Sequence, residues 1–109
     1  MIEVYHRVNY EPNIVLEADV QINQEDYEAV AEIDSDAVGD AWNLTQNGYS
    51  SWVKGRHVKA LLPGDSRRSS SIGDVFSVNG QLQVILFEGY APIEWGAKVD
   101  FRPSFMANQ

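Results

Sequence analysis

Asn79-Gly80 lies between two strand-like runs, residues 74–78 and 81–87. Both residues tolerate positive φ, which a type I′ turn requires, and the twist of that turn matches the twist of paired strands. The dipeptide therefore predicts a β-hairpin and commits this part of the chain to antiparallel sheet. Leu82, Val84 and Leu86 face one side of the second strand, and Gln81, Gln83, Ile85 and Phe87 the other. Near its end that strand is apolar on both faces. Each face then needs cover, from the rest of the chain or from a second subunit, so a monomer and a homodimer are both open. A further strand at residues 92–95 completes a three-strand meander.

The N-terminal half reads as two strands followed by two helices. Ile2, Val4, His6 and Val8 alternate with Glu3, Tyr5 and Arg7, the period of a half-buried strand. Residues 9–13 hold a proline and two asparagines and read as a turn. Ile14, Leu16, Ala18 and Val20 alternate again, so an N-terminal hairpin is expected. Asn23 is suited to cap a helix over residues 24–32, with Glu25 and Asp26 in its first turn and Tyr27, Val30 and Ala31 on one face. Asp34 or Ser35 can cap a second helix carrying Val38, Ala41, Trp42 and Thr45 at helical spacing. Gly39 weakens that helix by about 1 kcal/mol relative to alanine. Asn47-Gly48 stops it. Residues 49–71 are irregular, with Val58, Ala60, Leu61 and Leu62 as a short strand.

Segregated strands and helices imply an α+β class. The expected architecture is an antiparallel sheet, made of the N-terminal hairpin and the C-terminal meander, with two short helices packed on it. One domain is expected over residues 1–95, followed by an irregular tail, 96–109. The chain has 109 residues, 44% hydrophobic and 22% charged, which is the composition of one globular domain rather than of a disordered chain. It has no cysteine, which excludes disulfides and cysteine-based zinc sites and fits a reducing cytoplasm. Apolar runs at 84–87 and 60–62 fall far short of the roughly 20 residues of a membrane helix. The first residues lack the basic and apolar regions of a signal peptide, so a cytoplasmic protein is expected.

Charge is uneven. The net charge is −8, yet residues 1–50 hold eleven acids and one base, while residues 51–72 hold five bases and one acid. Three constellations follow. Glu25, Asp26, Glu28, Glu32, Asp34, Asp36 and Asp40 form an acidic face on the expected helices. Such a face is solvated, or it offers a partner a strip of carboxylates that imitates the phosphate spacing of DNA. Residues 34–40 lack the ligand spacing of a calcium loop, so no metal is expected.

Arg67, Arg68, Ser69, Ser70, Ser71, Gly73 and Asp74 form a turn that either satisfies its own backbone or binds an anion through guanidinium and hydroxyl groups. Trp52, Lys54, Arg56 and Lys59 place a ring among cations, the pattern of a surface that stacks bases, although Trp52 equally suits a core anchor. At a net charge of −8, however, long-range attraction of nucleic acid is poor. His6 falls on the inner face of its strand, where a hydrogen-bonded core histidine is the ordinary case, and His57 falls in the loop. No nucleophile elbow, zinc-protease helix, phosphate loop or dinucleotide fingerprint is present. Neither a catalytic set nor a cofactor is expected.

Leu44-Thr45-Gln46-Asn47, Ser51-Trp52, the run Arg68-Ser69-Ser70-Ser71-Ile72-Gly73-Asp74-Val75 and Gly89-Tyr90 occur in that order. They resemble small proteins of phages and other mobile elements with an R-S-[ST]-S-x-G-D-V signature. Tyr27-Glu28-Ala29-Val30 is similar to the Y-E-x-V segment of the YodL-like domain, which precedes the same signature. The resemblance spans about residues 1–95. Gly89-Tyr90 departs from the Gly-Phe or Gly-Trp common in those proteins. It implies a bacterial or phage-infected cell and carries over no activity.

Together these readings lead to a non-enzymatic accessory protein that binds a host protein, in its sharpest form an inhibitor of a nucleic-acid-binding protein acting through the acidic face. The alternatives are a small nucleic-acid-binding module built on residues 49–68 and a domain with an anion-binding serine-rich turn.

Overall fold

The computed structural model describes residues 1–107. The chain folds as one α+β domain around a six-stranded sheet in which every neighbouring pair is antiparallel. The strands are β1 (Ile2–Arg7), β3 (Tyr27–Ile33), β4 (Val58–Ala60), β5 (Val75–Val78), β6 (Gln81–Leu86) and β7 (Gly89–Ile93), in the spatial order β4-β3-β1-β5-β6-β7. A small second sheet pairs β2 (Val20–Gln21) with β8 (Lys98–Val99). Two short helices complete the fold, α1 (Val38–Leu44) and α2 (Ser104–Ala107).

The hairpin at Asn79-Gly80 forms as its sequence requires. Asn79 has φ 49° and Gly80 φ 90°, and Val78 pairs with Gln81 across the turn. β5, β6 and β7 make the expected meander. α1 follows its apolar stripe, with Ala41 and Thr45 buried. Ala37 stands at its N-cap with no side-chain cap bond, so neither Asp34 nor Ser35 caps the helix as expected; Ser35 instead orders the approach to it. The Ser35 hydroxyl accepts from the Ala37 N–H at 3.1 Å and donates to Asp40 at 2.8 Å.

Two expectations for the N-terminal half are corrected. Residues 14–20 do not form a strand paired with β1. Ile14–Leu16 is a 3-10 turn, and β1 pairs instead with β3 and β5. The helix expected over residues 24–32 is a single 3-10 turn, Gln24–Asp26, followed by β3. The cause of the second error is a β-bulge. Val4 pairs with Ala31 and Tyr5 with Ala29, which leaves Val30 as an extra residue on β3. Val30 and Ala31 both enter the core beneath α1, while Tyr27 enters the core on the opposite face. Burial at 27, 30 and 31 thus has the spacing of a helix face, although the backbone is extended.

The sheet is buried on both sides. One face packs Ile2, Val4, Ile33 and Phe76 against Ala41 of α1 and Trp52. The other packs Tyr27, Val75 and Val84 against Ile14, Ile22 and Phe101. Phe101 is only 2% exposed, and its N–H donates to the Glu17 carbonyl. The segment expected as an irregular tail is therefore part of the fold as far as it is described, and residues 108–109 lie outside the described residues. Both sheet edges are blunted against further strand pairing. β4 is three residues long with Lys59 at its centre, and β7 carries Pro92, which has no N–H to offer.

Candidate functional site

The serine-rich turn folds around Asp74. This carboxylate is 1% exposed, and the Arg68 guanidinium grips it with two bonds, Nη1 to Oδ2 at 2.7 Å and Nη2 to Oδ1 at 2.8 Å. The backbone N–H groups of Arg7 and Ser71 donate to the same carboxylate at 2.9 and 2.7 Å. Asp74 thereby ties the end of β1 to the turn that precedes β5. Gly73 is required beside it on two counts. Its φ is +95°, and a Cβ there would lie 2.8 Å from the Ile14 side chain.

The turn is tied to α1 and Trp52 as well. The Ser70 N–H donates to the Thr45 carbonyl, the Asn47 N–H to Ser69 Oγ, and the Trp52 indole N–H to the Arg68 carbonyl at 2.8 Å. Arg68 also stacks over the Tyr10 ring, 4.7 Å from its centroid. Of the two readings of this turn, the arrangement matches self-satisfaction: the guanidinium that an anion would need is already held by Asp74.

His6 and Ser70 lie in the same cluster. His6 Nε2 and Ser70 Oγ are 2.9 Å apart, and both residues are 3% exposed. In a Ser–His–Asp relay the carboxylate holds the ring nitrogen opposite the serine. Here the nitrogen that meets Ser70 is also the one nearest Asp74, at 3.8 Å, so the carboxylate is not placed to orient the ring for a relay. Burial pushes the His6 imidazole down to about 4, against the pull of the Asp74 carboxylate and with help from Arg68 and Arg67. At neutral pH the ring is uncharged, and its approach to Asp74 is not an ion pair.

The acidic residues divide. Glu28 and Glu32 lie on β3 rather than on a helix. Arg67 reaches Glu28 at 3.5 Å, and Lys59 lies directly across the ladder from Glu32. Asp36 meets the Met1 amino group, and Asp40 accepts from Ser35. Glu25, Asp26 and Asp34 are exposed. These carboxylates therefore do not share two helices: they lie on a 3-10 turn, on β3, on the approach to α1 and in its first turn.

The basic loop is also dispersed. Trp52 is 3% exposed with its N–H engaged, so of its two readings it is the core anchor and has no face on which a base could stack. Lys54 lies 4.0 Å from Asp65, and Arg56 and Lys59 are exposed. Among the described residues no group of three or more His, Cys, Asp or Glu side chains is placed to hold a metal ion. No helix among them is long and apolar enough to cross a membrane.

An open apolar surface lies elsewhere. A groove of about 500 Å³ runs between α1 and the β6–β7 turn, walled by Val38, Trp42, Ile85, Phe87 and Tyr90 with Gly39 on the helix side. Phe87 and Tyr90 are each 54% exposed. No motif points to this place. Its signal in the sequence is the two-sided apolar end of β6: Ile85 is covered by the core beneath α1, and Phe87, one step further on that face, is not. No family model matches the chain, and neither a curated protein nor a solved structure matches it.

Proposed function

We propose that this domain is a non-enzymatic protein-binding module whose contact surface is the groove between α1 and the β6–β7 turn. One observation carries the reading: two aromatic rings, Phe87 and Tyr90, stand half exposed together at the rim of one apolar groove, whereas the other exposed apolar side chains, such as Val8, Leu16 and Tyr49, line no part of it. An apolar groove with aromatic rings at its rim is a surface that an apolar side chain of a partner can cover. In the cluster richest in potential chemistry, Asp74 is bonded to Arg68 and His6 to Ser70. Imitation of DNA would need carboxylates free of nearby cations, and Glu28 and Glu32 face Arg67 and Lys59. The reading therefore rests on the groove rather than on the acidic face. A cytoplasmic setting in a bacterial or phage-infected cell belongs to the same proposal, supported by the lack of cysteine and by the resemblance of the serine-rich turn to mobile-element proteins.

Affinity capture from bacterial lysate tests this. The native protein is expected to retain a discrete partner that the Phe87→Ser, Tyr90→Ser double variant loses while remaining folded by circular dichroism. Equal capture by both proteins would sink the reading.

A further inference from the structure

Gly39 sits in the first turn of α1 without a conformational reason to be glycine. Its φ is not in the left-handed region, and a Cβ built on it would meet nothing within 4 Å. Alanine would fit the space and favour the helix. What the missing side chain does is leave room on the helix wall of the groove.

The groove is poorly suited to a small polar ligand. Such sites carry several placed polar groups that fix orientation. Here the polar side-chain groups among the residues that line it are the Asn43 amide, the Tyr90 hydroxyl and the Trp42 indole N–H, set among apolar walls. Charge narrows the occupant further. The residues that line the groove fall within 34–45 and 72–91, segments that contain no lysine or arginine. They do contain exposed Asp34, Asp40 and Glu88, besides Asp36, which the Met1 amino group already holds, and the buried Asp74. A second copy of this chain would bring the same acids and a second net charge of −8, so self-association is opposed by repulsion.

We infer that the groove is a seat for a bulky apolar side chain projecting from a cationic polypeptide segment, and that Gly39 keeps the seat open. The inference rests on the protein-binding reading above and adds the chemistry of the partner. The apolar anchor supplies affinity by filling the groove, and flanking lysines or arginines meet the acidic surround.

The test uses the isotope-labelled protein and a short helical peptide with leucines on one face and lysines on the other. The chain has three tryptophans. Trp42 lines the groove, and the Trp52 indole is held on the Arg68 carbonyl, so their N–H resonances are reporter and internal control. The Leu/Lys peptide is expected to shift the Trp42 signal saturably and leave that of Trp52 in place. Replacing leucine by alanine, or lysine by glutamate, should weaken binding by about tenfold or more, the scale of one lost anchor. Gly39→Phe, which fills the seat from the helix, should do the same.

The inference is overturned if the Leu/Lys peptide leaves Trp42 unmoved, or if the alanine peptide binds equally well. Equal binding by the Leu/Glu peptide overturns the cationic partner while leaving a docking groove intact. Should Gly39→Phe fail to fold, Phe87→Ser at the rim takes its place with the same expected loss. Partner capture that depends on Phe87 and Tyr90, combined with silence from every peptide, would reject this seat and retain the protein-binding reading.

Discussion

The turn around Asp74 and the groove beside α1 differ in almost every physical respect. The first holds two arginines, three serines, a histidine and a carboxylate, and its key groups are bonded to one another. The second has almost no polar chemistry, and its rim aromatics are exposed. A reading guided by residue chemistry looks to the first for function. Yet a buried carboxylate that accepts four hydrogen bonds is already committed, and a committed group has little left for a ligand. Exposed apolar surface is the reverse case: chemically plain, and unsatisfied until something covers it.

If the first region is structural and the second is a binding surface, substitutions should separate stability from binding. The largest effect is expected at Asp74. Asp74→Ala leaves Arg68 without its partner and deprives two backbone donors of an acceptor. Urea denaturation should register a loss of about 3–5 kcal/mol, the usual cost of breaking a buried pair. A loss below about 1 kcal/mol would mean that the pair is not holding the turn.

Next comes the response to acid. His6 is neutral in the fold with a pKa near 4, whereas an unfolded chain protonates the same ring near 6.5. Between those values the unfolded state binds more protons. Stability contributed by the neutral ring is therefore complete above about 6.5 and is lost as pH falls towards 4, by up to about 3 kcal/mol. The difference between the native protein and His6→Gln, measured across that window, isolates the effect from carboxylate protonation. A flat difference would remove His6 from the account.

Groove substitutions should act weakly on the fold, and one in the opposite direction. Gly39→Ala should raise stability by about 0.5 kcal/mol, because alanine restricts the unfolded chain and has open space in the helix. Destabilisation would show that the glycine serves packing. Phe87→Ser should leave the denaturation midpoint almost unchanged, within about 0.5 kcal/mol, since the ring is already half exposed. A larger loss would reveal that the rim belongs to the core, and the contrast between the two regions would fail.

Local signals in the sequence determined much of this protein. Asn79-Gly80 specified its hairpin because the turn depends on the φ preferences of two adjacent residues. The stripe Val38, Ala41, Trp42 and Thr45 specified α1, and the polar character of the serine-rich run marked its turn. Where a pattern had two physical sources, the sequence was ambiguous. A bulge at Val30 and a helix both bury positions 27, 30 and 31, and only pairing with β1 selects the extended form. The second sheet likewise joins residues 20–21 to 98–99, and two residues at each end carry no periodicity to read.

Tertiary structure alone decided what the charged and apolar groups are for. Whether Arg68 meets an anion or Asp74 depends on distances that close only when the turn packs on β1. Whether Phe87 is core or rim depends on where α1 ends its cover of β6. Residue type sets what a group can do, but only its neighbours across the fold determine whether that capacity is already used.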